Sequence, residues 1–171
     1  FLSLLPSSGT AIGWGEDERI MRLFSKLTFR TVTFGMRPEN DYYPLNLVYS
    51  ETGCPEYDAA FRGEIAAHIK LKVAGEFNVL NSLAAFAASV VAGAKPEAAA
   101  AALSHFAGVH RRFELTGVID GVKMYHDYGH NPAEMHAALS VARMQHPKRL
   151  WAVMQPHTFS RVKSLFQDYL T

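Results

Sequence analysis

The chain is poor in cysteine, in long apolar runs and in surplus charge, and each shortage narrows what it can be. One cysteine among 171 residues, Cys54, excludes an internal disulfide, and the Gly53-Cys54-Pro55 setting reads as a turn with an incidental thiol in a reducing compartment. Seventeen basic residues against sixteen acidic ones leave a formal net charge of +1, which offers neither the basic footprint of a nucleic-acid binder nor an acidic tail. No basic segment followed by an apolar stretch opens the chain, and the alanine-rich run over 83–102 is broken by Gly93, Lys95, Pro96 and Glu97. A cytoplasmic chain with no membrane and no nucleic-acid partner is expected. The Gly-x-x-x-x-Gly-Lys-Ser/Thr phosphate loop is also missing, so the chain lacks that means of cradling the β- and γ-phosphates of a nucleotide. The sequence begins with Phe1-Leu2-Ser3-Leu4-Leu5-Pro6 and ends within an apolar-spaced stretch over 159–170. Both ends read as pieces of helices, and the chain is expected to be a fragment of a longer protein.

What is present is a globular composition, 49% apolar and 19% charged, long enough for one domain or two small ones. A strand over 10–14, a helix opened by the acidic run Glu16-Asp17-Glu18 and a β-branched strand over 31–35 begin a parallel α/β unit. From 42 to 73 the helical period gives way to alternation at Leu45, Leu47, Tyr49 and then Ile65, Ile69, Leu71 and Val73, which predicts a meander. A helix over 78–92 offers Leu80, Leu83, Ala84, Phe86, Ala87 and Val90 to a core and stops at Gly93. A second helix starts at Pro96. Asp120-Gly121 then marks a tight hairpin turn between strands over 113–119 and 122–125, so the boundary between two domains falls at 108–112. A helix over 133–142, a buried strand over 150–154 and a helix over 159–170 complete the pattern of a parallel sheet that binds ligands at the carboxyl ends of its strands.

Chemistry concentrates in Tyr125-His126-Asp127-Tyr128-Gly129-His130-Asn131-Pro132, where two imidazoles, a carboxylate, two phenols and an amide crowd a loop between a strand and a helix. Such loops on rigid scaffolds carry binding and catalysis. A zinc site built on His126, His130 and His136 fails on spacing, because the i, i+4 pair spans a loop. Taken alone, Asn78 and Asn81 read as helix-capping residues, and Arg111-Arg112 as a solvated pair.

Four segments, Gly75-Glu76-Phe77-Asn78-Val79-Leu80-Asn81, Gly108-Val109-His110-Arg111-Arg112-Phe113-Glu114, Asp127-Tyr128-Gly129-His130-Asn131-Pro132-Ala133-Glu134 and Gln155-Pro156-His157-Thr158-Phe159-Ser160-Arg161, occur in the order in which the Mur ligases carry them. The chain resembles that family of ATP-dependent amide-bond ligases of peptidoglycan synthesis. The resemblance implies an α/β fold: the second half of a Mur ligase central ATPase domain over 1–109, followed by the first half of the Rossmann-like C-terminal domain over 110–171.

The resemblance also implies roles. Asn81, with Asn78, contacts the adenine of ATP, for which an amide offers both a donor and an acceptor. Asp127 binds the ribose hydroxyls. Arg112 reaches the phosphates with a permanently charged fork, and Arg112 and His130 are the expected catalytic residues. Tyr128, His130, Asn131, His157 and Arg161 line the amino-acid site, where Arg161 would hold a carboxylate. Phe77, Asn131 and Thr158 stand where other members carry histidine or arginine. The implied cofactors are ATP and Mg2+, with the Mg2+ ligands in the part of the parent that this chain lacks, and the implied substrates are UDP-N-acetylmuramate and L-alanine. The alternatives are a member that attaches a tripeptide to the same sugar nucleotide, or a non-catalytic Mur-like module that binds a nucleotide or a partner.

Overall fold

The computed structural model describes residues 2–170. They divide into two compact units, the first running to Ser50 and again over Cys54–Phe106, the second comprising Glu51–Gly53 and the chain from Ala107 onward.

In the first unit β1 (Thr10–Trp14), β2 (Arg30–Phe34), β3 (Tyr42–Tyr49), β4 (Pro55–Phe61) and β5 (Glu64–Lys70) form one sheet in sequence order. β1 and β2 run parallel across helix α1 (Glu18–Phe24), as the strand-helix-strand pattern predicts, and β3, β4 and β5 form the expected antiparallel meander. The acidic run divides its labour. Asp17 caps α1 by accepting the N–H groups of Arg19 and Ile20, and the Arg19 guanidinium bound to it holds its carboxyl down at about 2. The neighbouring Glu16 accepts the N–H groups of Met36 and Arg37 and ties the β1 turn to the loop after β2.

Pro44 sits inside β3 without breaking it. The Tyr42 carbonyl accepts from Gly35 on the β2 side, so Pro44 two residues on presents its missing N–H to that same side. β2 registers only with Tyr42 there, which leaves no ladder bond for Pro44 to forfeit.

β4 carries no strand expectation over its own length, yet it lies at the centre of the packing. Its Glu56 and Asp58 alternate with fully buried Tyr57 and Ala59. Alanine and aspartate are weak strand formers, so burial between neighbours rather than propensity selects this strand. Helix α2 (Glu76–Val91) crosses β1 to β4, and α3 (Pro96–His105) packs on β5 and α2. The buried stripe of α2 is Val79, Ser82, Leu83, Phe86 and Ala87, rotated slightly from the expected face so that it includes a serine. Val79, Leu83 and Phe86 are each worth roughly 1.5–3 kcal/mol of transfer free energy on burial.

That serine has a partner. Ser82 Oγ donates to the Val79 carbonyl at 2.9 Å and lies 2.6 Å from the Tyr57 hydroxyl. With its one proton committed, Ser82 accepts and Tyr57 donates. Burial pushes the Tyr57 phenol up to about 12.

In the second unit β6 (Glu114–Ile119) and β7 (Val122–His126) form the predicted hairpin. Asp120 and Gly121 both adopt positive φ, 49° and 80°, as a two-residue type I′ turn requires. Helix α4 (Pro132–Met144) follows, then α5 (Phe159–Ser164) and a 3-10 turn at Gln167–Tyr169, so the single helix expected over 159–170 is broken near Leu165. The buried strand expected over 150–154 does not form: Trp151 is 81% and Val153 100% exposed. A parallel strand needs a neighbour for its N–H and C=O groups, and among the described residues β6 and β7 pair only with each other. The parallel sheet expected in this half is therefore absent among the described residues, and the α/β character rests on the mixed sheet of the first unit.

Two outcomes follow. Ser82→Ala leaves the Tyr57 hydroxyl buried without an acceptor and is expected to destabilise the chain by about 1–3 kcal/mol in urea unfolding, more than the double variant Tyr57→Phe, Ser82→Ala does. Equal losses would contradict the pairing. On the exposed face of β5, His68 Nδ1 lies 2.8 Å from Asp58 and Nε2 3.3 Å from Glu56, an arrangement in which only an imidazolium donates twice. Asp58 first, then Glu56, raises its pKa. The stabilisation is therefore full below the ordinary histidine range and is lost as pH rises through the raised value. Unfolding of His68→Gln is expected to lack that alkaline decline, which solvent screening keeps small.

Candidate functional site

The expected site residues fall in both units. Asn78 and Asn81 lie in the first turns of α2, whose N-cap is Gly75 at φ 105°, with no side-chain capping bond. The capping role of the asparagines is thus not used. Asn78 Nδ2 donates instead to the Ala74 carbonyl at 2.8 Å, and its Oδ1 accepts from Asn81 Nδ2 at 3.2 Å. Asn81 is exposed and keeps its Oδ1 and a second N–H for an outside partner. That donor and acceptor on one planar group match a purine edge.

In the second unit, Asp127 joins two segments. One carboxylate oxygen accepts the Phe113 N–H at 2.8 Å and the other the Gly129 N–H at 2.6 Å, while the Tyr128 N–H donates to the Arg111 carbonyl at 2.7 Å. Arg111 and Phe113 hold φ of 61° and 48°, a region costly for side chains of this size, at roughly 1 kcal/mol or more each. These bonds hold Arg112 between two left-handed residues. Each Asp127 oxygen retains a lone pair, so the carboxylate can still accept the hydroxyls of a ribose.

Several main-chain groups of the loop after Asp127 have partners. The His130 N–H donates to Glu134 at 2.9 Å, the His130 carbonyl accepts the Tyr169 hydroxyl at 2.7 Å, and the Tyr128 carbonyl accepts from His130 Nδ1 at 2.9 Å. A carbonyl cannot donate, so Nδ1 carries the proton and the neutral ring presents Nε2 as a base. Asn131 N-caps α4 by accepting the Glu134 N–H at 2.9 Å, with Pro132 at the first helical position. This explains why an amide suffices at position 131.

The His130 ring meets Tyr128 edge-on at 5.4 Å between centroids and His157 at 6.0 Å. Thr158, next to His157, is another left-handed residue, at φ 67°. An open groove of about 470 Å³ is lined by His130, Asn131, His136, Arg161 and Asp168. Arg161 Nη1 is buried and has no hydrogen-bond partner among the described residues. A buried guanidinium nitrogen without an acceptor is unfavourable.

Tyr128, His130, Asn131, His157 and Arg161 are thus brought together within the second unit, with Asp127 at the head of the loop and Arg112 on the segment before β6 that is bonded to it. Two residues that shape the loop lie outside the expected set. Glu134 had a signal, since Asn131-Pro132-Ala133-Glu134 has the spacing of a capping box. Tyr169 had none, because its bond spans 39 positions of sequence. Among the described residues no three His, Cys, Asp or Glu side chains converge as a metal site, so these residues do not by themselves fit Mg2+.

The sequence matches known proteins over both units. Residues 1–89 match the Mur ligase middle domain and residues 111–170 the Mur ligase glutamate ligase domain. A UDP-N-acetylmuramate–L-alanine ligase of Caldanaerobacter subterraneus subsp. tengcongensis is 38% identical over 169 residues, 99% of this chain and 37% of that protein. The crystal structure of UDP-N-acetylmuramate-alanine ligase from Thermotoga maritima superposes with a TM-score of 0.73 at 29% identity, covering 90% of this chain and 35% of the other. A murein peptide ligase from Psychrobacter arcticus gives 0.67 at 26% identity, covering 91% and 33%. The chain therefore spans about 37% of the length of the curated relatives it matches. Spanning both matched domains, from the five-stranded sheet to the Asp127 loop, it belongs to the Mur ligase family.

Proposed function

We propose that this chain is part of an ATP-dependent ligase of peptidoglycan precursor synthesis that joins L-alanine to UDP-N-acetylmuramate in the cytoplasm. Residues 1–109 are its partial central domain and residues 110–171 its partial C-terminal domain. The observation that carries the reading is the groove of the second unit, where a buried, unpartnered Arg161 nitrogen and a histidine of fixed tautomer stand along one wall system. The names of the relatives support alanine as the amino acid.

ATP would supply a phosphoryl group to the sugar-nucleotide carboxylate, leaving ADP, and the alanine amine would then displace phosphate from the acyl carbon, phosphate leaving with the C–O bonding pair. In the first unit Asn81, braced by Asn78, takes the adenine edge. In the second, Asp127 takes the ribose hydroxyls, and Arg112 neutralises charge on the phosphoryl group as it departs. Arg161 holds the alanine carboxylate, with Tyr128, Asn131 and His157 shaping the pocket. His130 Nε2 takes a proton from the attacking amine, which its Nδ1–H bond to the Tyr128 carbonyl leaves free to do so. The 171-residue chain alone, without a phosphate loop in its sequence, is not expected to ligate.

Kinetics of the full-length parent test this. Turnover is expected with L-alanine and not with the tripeptide; the reverse preference would favour the tripeptide-adding alternative, and no turnover with either would favour the binding module. Arg112→Ala is expected to lower kcat by about 10²–10³. Arg161→Ala is expected to act chiefly on KM for the amino acid, by about tenfold or more. A KM effect from Arg112 and a kcat effect from Arg161 would reverse the assignment.

A further inference from the structure

Glu134 touches the residues that the proposed chemistry depends on without being one of them. Its Oε2 accepts the His130 N–H at 2.9 Å and lies 3.7 Å from His130 Nδ1, while its Oε1 is 3.6 Å from Arg112 Nη1. Its own N–H is held by Asn131, which fixes the first turn of α4 beneath the loop. Gly129 is pressed against it: a Cβ there would stand 2.7 Å from Asp127 Oδ1 and 3.1 Å from Glu134 Cβ. The loop is therefore closed on one side by Asp127 and on the other by Glu134.

We propose that Glu134 is a positioning residue of the ligase site, one carboxylate oxygen fixing the His130 main chain while the other sets the Arg112 guanidinium beside the same loop. Its functional meaning rests on the reading of Arg112 and His130 given above. The two tasks have different chemical requirements. Capping His130 needs only an acceptor, which an amide oxygen supplies. Setting a guanidinium needs negative charge on the second oxygen, because the amide of a glutamine would present donors to donors. An aspartate is one methylene shorter and cannot span both partners from the third position of the helix. The His130 N–H first, then the Arg112 guanidinium, holds the Glu134 carboxyl below the ordinary carboxylate range. The charge is therefore kept under mildly acidic conditions.

The test is an NMR comparison of the 171-residue chain with Glu134→Gln and Glu134→Ala, reading the exchange of the His130 amide and of the Arg112 Nη–H groups, with β6–β7 amides as the control for folding. Glu134→Gln is expected to leave His130 protected and to speed Arg112 exchange by about two- to fivefold, the range of a partly exposed ion pair. Glu134→Ala is expected to speed His130 as well, by about tenfold or more. In the unmodified chain, added salt should speed Arg112 exchange by screening the partly exposed ion pair and leave the His130 amide protected, even where a variant fails to fold. Equal exchange at both sites in all three proteins, or loss of both protections together in Glu134→Gln, would overturn the proposal. These readouts do not involve turnover. A predicted split with no ligation in the parent would remove the ligase reading alone, whereas ligation without the split would remove the role of Glu134 alone.

Discussion

The second unit depends on one carboxylate bridging two stretches of backbone. Asp127 leaves the end of β7 and binds the N–H groups of Phe113 and Gly129 at 2.8 and 2.6 Å. The hairpin alone would only bring residues 114 and 126 opposite each other. The bridge extends that pairing past the end of the ladder, into a segment where Arg111 and Phe113 occupy costly left-handed conformations. Hydrogen bonds to a charged acceptor are each worth about 1.5–3 kcal/mol, enough to hold two such residues. Placement of Arg112, and the order of Tyr128 to Asn131, follow from it.

Strain and satisfaction go together here. Non-glycine residues with positive φ flank Arg112 on both sides and follow His157, while the main-chain N–H groups of Tyr128, Gly129 and His130 all have partners. A loop with these three N–H groups bonded can hold its side chains in fixed directions without a surrounding core, which suits a small unit whose residues are largely exposed. The first unit works differently: its order comes from α2 laid over the sheet, with Tyr57 and Ser82 as a buried polar pair beside the apolar cluster.

How much of this was legible in the sequence depends on the range of the interaction involved. The hairpin was, because Asp120-Gly121 dictates its turn locally, and so were β1, β2 and α2, which carry strong periodic patterns. The motif segments placed the catalytic candidates. The strand over 150–154 was misread because its apolar run signals burial but cannot state which neighbour provides it. β4 was passed over for the opposite reason, its weak formers being held by partners on both sides. Glu134 was readable as a capping residue but not as the partner of Arg112, and the Tyr169 bond to the His130 carbonyl has no local sequence signal at all.

The central claim is that the Asp127 carboxylate, with both oxygens accepting backbone N–H groups, organises the Arg112 segment and the His130 loop together. Hydrogen exchange of Asp127→Asn measures this most directly, because the amide places a donor where one of two N–H groups must be accepted. The account predicts faster exchange at Phe113 or Gly129, accompanied by loss of the Tyr128 N–H bond to Arg111, by about tenfold or more, with the β6–β7 ladder near the turn unchanged. Wild-type exchange at all three amides in a folded Asp127→Asn chain would contradict it.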